Sequence, residues 1–270
     1  MNDPAGASGS DAPNGSFAAW RDVAHELADL ADELTLGAFR GHLDVRTKAD
    51  GTWVTEVDET VERTLREGIR DRFPDHAFLG EEDGRQGPAD APTWIVDPID
   101  GTSNFVRGNP IFATCIAVQW RGREVVGVVS APALRTRWDG IAGGPARQDG
   151  REVRVSDVAD LASAEVALGG LDVFAAHDRL PLAEALAGRA WRVRGYGDFW
   201  QHCLVAAGST DVAVEAEVAL WDLAAVKCIV EAAGGTFTDL TGAVTADGGS
   251  AVASNGRLHD EVLALAAGTR

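Results

Sequence analysis

The stretch WIVDPIDGTSNF, residues 94–105, constrains the fold of this chain more than any other segment. Its apolar start is typical of a buried strand, and two aspartates, Asp97 and Asp100, stand at the end of that strand. Carboxylates this close together repel each other unless a positive charge lies between them. The following Gly101 and Thr102 allow a tight turn and a close approach of the backbone to an anion. The segment therefore predicts a strand end at which cations and an anion meet.

Further acidic residues stand at the ends of other predicted elements. Glu81 and Glu82 follow the short apolar run HAFLG, and Asp222 opens a predicted helix. Hard oxygen ligands of this kind suit Mg²⁺ or Mn²⁺, and Pro98 stiffens the loop so that the Ile99 carbonyl can also face inward. Each acidic residue alone could be only a turn residue or a helix cap. The spacing of the whole set favours a metal site.

The residues after Asp100 predict an anion site beside the metals. A helix that begins near Ser103 and Asn104 would direct free N–H groups at a phosphate. Two metal ions about 3.5–4 Å apart are a recurrent device for in-line phosphoryl displacement. The segment is therefore consistent with phosphoryl chemistry.

The hydrophobic pattern predicts a mixed α/β protein. A helix is expected from Phe17 to about Gly41, then a small hairpin with a turn at Asp50-Gly51. A second helix should end near Pro74, with Asp58 in its first turn and directed away from the apolar stripe. Antiparallel strand pairs follow, and after residue 150 strands and helices alternate. We expect a disordered tail at residues 1–16 and one domain over 17–270, with sublayers at about 17–150 and 151–270.

Charge and cysteine content narrow the classes of partner. The formal net charge of −18 disfavours nucleic acid and anionic membranes, but it permits a small anionic substrate where local cations reverse the field. No apolar run reaches the roughly 18 residues that a membrane span needs, and the N-terminal residues do not form a signal peptide. We expect the cysteines to be reduced core residues, which fits the cytoplasm; they are Cys115, Cys203 and Cys228.

Several of these segments together resemble the inositol monophosphatase family of Mg²⁺-dependent, lithium-sensitive phosphatases. The matching motifs are GEE (80–82), WIVDPIDGTSNFVRG (94–108), VGVVSAP (126–132), WDLAAVKCIVEAAGG (221–235) and VASNG (252–256). They cover nearly the whole chain from residue 17 onward. The resemblance implies a layered αβαβα sugar-phosphatase fold, a homodimer and a small phosphorylated substrate.

The resemblance also implies roles for individual residues. Asp58 and Thr102 would orient the attacking water, with Glu81 as the third member of the catalytic set. Mg²⁺, or alternatively Mn²⁺, would bind as about two or three ions per site. The implied metal ligands are Glu81, Asp97, the Ile99 carbonyl, Asp100 and Asp222. The implied substrate-binding residues are Glu81, Ile99, Asp100, Gly101, Thr102, Arg194, Asp198, Glu215 and Asp222.

The hairpin beside the metal site departs from the family pattern. Glu81 matches the first of two family glutamates, which leaves Glu82 a supporting role. Lys48 occupies a position that is often basic in the family, whereas Trp53 stands where proline is frequent. The departure concerns the geometry of the hairpin and not the ligand set.

Residues 191–225 look closest to the bacterial histidinol-phosphatase branch of the family. Histidinol phosphate carries an ammonium and an imidazole with an ordinary pKa of about 6.5, and Asp198 and Glu215 could pair with both. Asp198 could instead be a turn residue or helix cap, and Arg194 could form a surface salt bridge rather than a substrate or phosphate contact shared across a dimer interface. Tyr196 and Trp200 could frame a ring pocket or pack in the core.

Other functions stay open at this point. Another family phosphatase would act on inositol phosphate, a sugar bisphosphate or a phosphonucleotide, and a non-catalytic relative would be a metal-binding regulatory protein. The histidines show no metal-ligand spacing, and we expect solvated or structural roles for all of them. They are His25, His42, His76, His177, His202 and His259.

Overall fold

A computed structural model describes residues 17–49 and 51–269 of the chain. The predicted tail at 1–16 and Asp50 of the predicted turn lie outside the described residues. The helices are α1 (Phe17–Ala38), α2 (Glu56–Arg72), α3 (Thr102–Val106), α4 (Leu171–Ala176), α5 (Leu180–Ala187), α6 (Asp198–Ala206), α7 (Leu220–Ala232) and α8 (His259–Gly268). A 3₁₀ turn covers Leu161–Ser163.

The strands fall into a small hairpin and two sheets. They are β1 (Val45–Thr47), β2 (Trp53–Thr55), β3 (Ala77–Gly80), β4 (Gly84–Gln86), β5 (Thr93–Asp100), β6 (Ala113–Trp120), β7 (Arg123–Ala131), β8 (Thr136–Ile141), β9 (Ala146–Gln148), β10 (Arg151–Val153), β11 (Glu165–Leu168), β12 (Arg192–Arg194), β13 (Val212–Glu215), β14 (Thr236–Thr238) and β15 (Ala251–Ser254). β1 and β2 pair antiparallel, as the hairpin prediction required.

In the described residues the larger sheet has the strand order β10-β9-β8-β7-β6-β5-β3-β4, and the smaller one has the order β12-β11-β13-β15-β14. The larger sheet is antiparallel except for the β3–β5 pair. In the smaller sheet β11 pairs parallel with both β12 and β13, while β15 pairs antiparallel with β13 and β14. The antiparallel first part and the alternating second part predicted from the sequence are confirmed.

Three apolar layers hold the sheets and helices together. α1 and α2 pack on one face of the larger sheet, α6 and α7 lie between the two sheets, and α5 and α8 cover the outer face of the smaller one. β5 faces two of these layers: Trp94 and Val96 join the α1–α2 layer, while Ile95 joins the central layer. A strand covered on both faces reads as a continuous apolar run, which is the pattern of residues 94–96. The layered αβαβα fold is confirmed.

Some boundaries differ from the sequence prediction. α7 begins at Leu220, so Asp222 lies in its first turn rather than at its start. α3 begins at Thr102 and is a single short turn of helix. Cys115, Cys203 and Cys228 are buried free thiols, as expected. No helix of the described residues is long and apolar enough to cross a membrane.

Candidate active site

A β-bulge brings the two aspartates of the 94–105 segment to one side of the sheet. In a regular strand, residues three apart face opposite sides. The pairing of β5 with β6 shifts register between Asp97 and Asp100. Pro98 lies inside this bulge, where its missing N–H costs the ladder no hydrogen bond, and its carbonyl accepts a hydrogen bond of 2.8 Å from the Thr114 hydroxyl.

The first turn of α7 completes an acidic cluster. Carboxylate oxygens of Asp97, Asp100 and Asp222 lie within 4.8 Å of one another. Backbone groups fix all three: the Ile99 N–H donates to Asp97 at 2.9 Å, the Phe199 N–H donates to Asp100 at 2.5 Å, and an N–H just before α7 donates to Asp222 at 3.1 Å. The cluster is therefore a preformed set of oxygen ligands.

Burial and mutual repulsion make this cluster unfavourable as a set of free anions. Burial raises the pKa of Asp97, and the charges of Glu81 and Asp100 raise it further. Burial, followed by the charges of Asp198 and Asp222, raises the pKa of Asp100, and burial also raises the pKa of Asp222. Burial raises the pKa of Glu81 to about 7. A divalent cation would remove this repulsion, so the donor set fits a metal site.

Lys48 brings a positive charge to the edge of this cluster by pairing with the two glutamates of the GEE segment. Its Nζ lies 2.7 Å from Glu81 and 2.7 Å from Glu82. Burial lowers the pKa of Lys48, but the hydrogen bonds and charges of the two glutamates outweigh this and raise it above its ordinary value. The same hairpin carries Trp53, whose side chain lines the cavity beside the cluster. The hairpin therefore closes one side of the site.

A buried carboxylate, that of Glu62, holds the backbone of the GEE segment (80–82). Glu62 of α2 is 1% exposed and accepts hydrogen bonds of 2.8 Å from the N–H groups of Glu82 and Asp83. Gly80 packs directly on the Glu62 carboxylate, so that any side chain at residue 80 would collide with it. These contacts fix the backbone that presents Glu81.

Asp58 and Thr102 form a hydrogen-bonded pair at the edge of the cavity. Asp58 lies in the first turn of α2, as predicted, where it accepts hydrogen bonds from the Thr55 N–H at 2.9 Å and the Thr55 hydroxyl at 2.5 Å. Its other oxygen lies 3.2 Å from the Thr102 hydroxyl, which also lies 3.0 Å from the Ile99 carbonyl. Burial raises the pKa of Asp58. The helix cap thus orients the carboxylate toward Thr102.

Gly101 lines the same cavity with backbone atoms alone. Its φ of +85° is left-handed, and an added Cβ would lie 3.0 Å from the Ile111 carbonyl and 3.3 Å from Asp198. The cavity here has a volume of about 170 Å³, enough for a phosphate group. Its lining residues include Glu81, Asp97, Ile99, Asp100, Gly101, Thr102, Asp198 and Asp222.

A second cavity of about 210 Å³ adjoins the first, and Asp100, Asp198 and Asp222 line both. Its wall also includes Glu215 and His202. Burial raises the pKa of Glu215 to about 8, and burial lowers the pKa of His202 to about 4, so the imidazole is neutral. Five carboxyl groups and a neutral ring therefore line this space; the acidic residues are Asp100, Asp198, Glu215, Glu217 and Asp222.

Asp198 does not cap its own helix. Its backbone is left-handed with a φ of +49°, and its carboxylate accepts a hydrogen bond of 2.8 Å from the Asn104 side chain. Burial raises its pKa to about 6, and the charge of Asp222 adds to this. The N–H of Phe199 in the same turn donates a hydrogen bond to Asp100 instead. Asp198 is therefore held between the two cavities.

The remaining residues that were predicted to contact the substrate lie farther from the two cavities. Arg194 is exposed at the end of β12 and lines neither cavity. Tyr196 donates a hydrogen bond of 2.8 Å to Glu165, and its ring meets Trp200 edge to face at 5.4 Å between centroids. Both rings pack against the central apolar layer.

Comparison with known proteins places this fold and site in one family. The sequence profile of the inositol monophosphatase family matches residues 18–269. The chain belongs to the inositol monophosphatase family. A histidinol-phosphatase of Mycobacterium tuberculosis is 48% identical over 249 residues, covering 89% of this chain and 95% of that protein. A histidinol-phosphatase of Streptomyces coelicolor is 43% identical over 251 residues, covering 89% of this chain and 94% of that protein.

Solved structures agree with this assignment. The Thermotoga maritima IMPase superimposes with a TM-score of 0.83 at 33% identity, covering 92% of this chain and 96% of that one. The family, the fold and the prediction of a phosphoric monoester hydrolase are thereby confirmed. For this member of the inositol monophosphatase family, the acidic cluster could hold the metal on which the family depends.

Sequence reasoning missed the residues that support the ligands in this family member. Glu62, Asn104 and Gln201 each contact an acidic residue that lies 14 to 94 residues away in sequence. Only Asn104 lay inside a recognised motif, so it could have been singled out. The other two stand in helices and follow the ordinary polar–apolar pattern, which carries no signal for such distant partners.

Proposed function

We propose that this protein is a Mg²⁺-dependent phosphatase that hydrolyses L-histidinol phosphate to L-histidinol and phosphate in histidine biosynthesis. The observation that carries the proposal is the pair of adjoining cavities, one with a cluster of metal-ligand carboxylates and the other with Asp198 and Glu215. The relatives named histidinol-phosphatase, at 48% and 43% identity over most of the chain, support the same substrate.

The second cavity suits a cationic leaving group. A neutral polyol offers only hydroxyls, and burying extra carboxylates beside it would be costly without a compensating charge. Histidinol phosphate instead carries a primary ammonium and an imidazole, which form charge-assisted hydrogen bonds with carboxylates. Glu215 is buried and Asp198 is partly buried beside the phosphate cavity, so they can contact the alcohol part while the ester lies at the cluster.

The metal ligands in this proposal are Glu81, Asp97, the Ile99 carbonyl, Asp100 and Asp222. This donor set consists of oxygens, which is the preference of Mg²⁺, and burial together with mutual repulsion raises the pKa values of Glu81, Asp97 and Asp100. When bound, Mg²⁺ supplies Lewis-acid activation of water and stabilises charge on the phosphoryl and leaving oxygens.

The protein residues orient the nucleophile and the ester. The Thr102 hydroxyl donates its single proton toward Asp58 or the Ile99 carbonyl, which leaves its lone pairs to accept a hydrogen bond from the attacking water. As the water oxygen bonds to phosphorus and the ester P–O bond breaks, the water proton passes toward the Thr102–Asp58 pair, and the leaving alkoxide takes up a proton from solvent to give the alcohol. Backbone N–H groups at Gly101 and Thr102 hold the phosphoryl oxygens, so positioning and electrostatics carry the reaction.

A substrate panel tests this function. We expect kcat/KM with Mg²⁺ to be highest for L-histidinol phosphate, measured by phosphate release against inositol 1-phosphate, fructose 1,6-bisphosphate and 3′-phosphoadenosine 5′-phosphate. A higher value for one of the other esters would assign the site to that substrate. No phosphate release from any ester would instead favour a metal-binding regulatory protein.

Three further predictions accompany this function. We propose that the enzyme is a homodimer with Arg194 near the contact between subunits, that it acts in the cytoplasm, and that residues 17–270 form one domain. The contacts of α7 with strands of both sheets support the last of these. Light scattering on the purified protein tests the dimer, and a single cooperative unfolding transition tests the domain.

A further inference from the structure

We infer that Gln201 is a positioning residue that holds Glu215 in the orientation needed to recognise the ammonium of the substrate. The inference rests on the proposed function, since it concerns how the second cavity selects a cationic alcohol. Gln201 lies in α6 and is fully buried, and its side-chain amide donates a hydrogen bond to one oxygen of Glu215. The Glu215 carboxylate lies at the end of β13 and lines the cavity.

Gly169 holds the other side of the same carboxylate. It follows β11, its N–H donates to the Val214 carbonyl at 3.0 Å, and it lines the cavity. A Cβ at residue 169 would collide with the second oxygen of Glu215. The carboxylate is therefore confined between the Gln201 amide and the Gly169 backbone, so only its edge toward the cavity can meet a ligand.

The hydrogen bonding of Gln201 is unlike that of a purely structural glutamine. Its side-chain oxygen is buried and has no hydrogen-bond partner among the described residues. Buried polar atoms are normally paired, and an unpaired one is costly. A buried glutamine that leaves its oxygen unpaired contributes little stability, so the bond from its amide to Glu215 is the interaction that accounts for its presence.

Two matched substrates measure how much the ammonium contributes to recognition. L-histidinol phosphate and 3-(imidazol-4-yl)propyl phosphate differ only by the amino group, so the ratio of their kcat/KM values measures its recognition. We expect Gln201→Met to lower this ratio about tenfold, the effect of losing one hydrogen bond to a carboxylate that is ionised when it pairs with the ammonium. The loss should fall mainly on KM for histidinol phosphate.

Further variants separate positioning from folding. Gly169→Ala displaces Glu215 from the opposite side and should lower the ratio in the same direction, even if Gln201→Met folds poorly. Val205→Ala, in the apolar layer on the same helix, should lower the melting temperature and leave the ratio unchanged. In a Glu215→Gln background, Gln201→Met should have no further effect on the ratio.

The outcomes distinguish this inference from the proposed function. A ratio near one for the unmodified enzyme would overturn recognition of the ammonium and therefore this inference, whereas the proposed function fails only if the substrate panel favours another ester or none. A high ratio that survives both Gln201→Met and Gly169→Ala would overturn the inference alone. Equal losses for the two substrates would show that Gln201 acts only on the fold.

Discussion

Asp97 is a proposed metal ligand whose charge is unfavourable when buried. Asp97→Asn keeps the oxygen that accepts the Ile99 N–H but removes the charge that binds the cation. We expect kcat to fall roughly a thousandfold or more, a loss of about 4 kcal/mol of transition-state stabilisation. The metal-free variant should melt at or above the temperature of the unmodified protein, because repulsion with Asp100 and Glu81 is relieved.

Phosphate release and thermal unfolding in EDTA check this prediction. Asp71→Asn, an exposed change at the end of α2, serves as the control and should alter neither quantity. Unchanged kcat with Mg²⁺ bound would remove Asp97 from the ligand set.

Asp198 sets the selectivity of the site. Asparagine is the informative replacement, because it tolerates the left-handed backbone at this position. We expect Asp198→Asn to raise KM for histidinol phosphate about tenfold, and to raise it less for inositol 1-phosphate, which offers no cation. Steady-state kinetics on both esters measures this difference. Equal effects on the two substrates would mean that Asp198 only supports the loop through Asn104.

At the scale of elements, close packing of α7 on β7 positions Asp222. Gly127 of β7 lies against the Ala225 carbonyl of α7, and a methyl group there would collide with it. We expect Gly127→Ala to destabilise the protein by about 1–3 kcal/mol, the usual cost of overpacking. Because the same shift moves Asp222, the Mg²⁺ concentration for half-maximal activity should rise.

A second glycine gives the matched control. Gly37 lies in α1 with open space around it, so Gly37→Ala should stabilise the helix by roughly 0.5–1 kcal/mol and leave the Mg²⁺ dependence unchanged. Denaturant unfolding and Mg²⁺ titrations of both variants make the comparison. Similar effects of the two substitutions would show that α7 is not fixed by its contact with β7.

For the whole molecule, buried acids make metal-free stability depend on pH. The pKa of Glu215 is raised from an ordinary 4.5 to about 8, so the folded state binds a proton that the unfolded state releases. This contribution is fully present below pH 4.5 and is lost as the pH rises toward 8. In EDTA, the melting temperature should therefore fall between pH 5 and pH 8, by about 2–4 °C for each kcal/mol lost.

Glu215→Gln removes this titration and provides the comparison. The variant should resemble the unmodified protein at pH 5 and melt at a higher temperature at pH 8. Parallel curves for the two proteins across this range would show that Glu215 does not retain its proton in the folded state.

The acidic cluster could be predicted from the sequence because its signals are local. Asp97 and Asp100 follow an apolar strand around a proline, and Asp222 lies at the start of an apolar helix. The supporting contacts could not be predicted, since Lys48 reaches Glu81 across 33 residues and Asn104 reaches Asp198 across 94. Periodicity specifies which face of an element is buried, but it carries no information about which distant polar group that face will meet.

The position of α7 determines when during synthesis the enzyme can work. Asp97 and Asp100 lie in β5 of the larger sheet and Glu81 directly follows β3; the last strand of this sheet ends at Val153, whereas Asp222 belongs to a helix that contacts both sheets. A nascent chain that ends before α7 therefore lacks both Asp222 and the helix that covers the central face of the larger sheet. We therefore expect full cation binding only after α7 has packed between the two sheets, so that activity would report this packing.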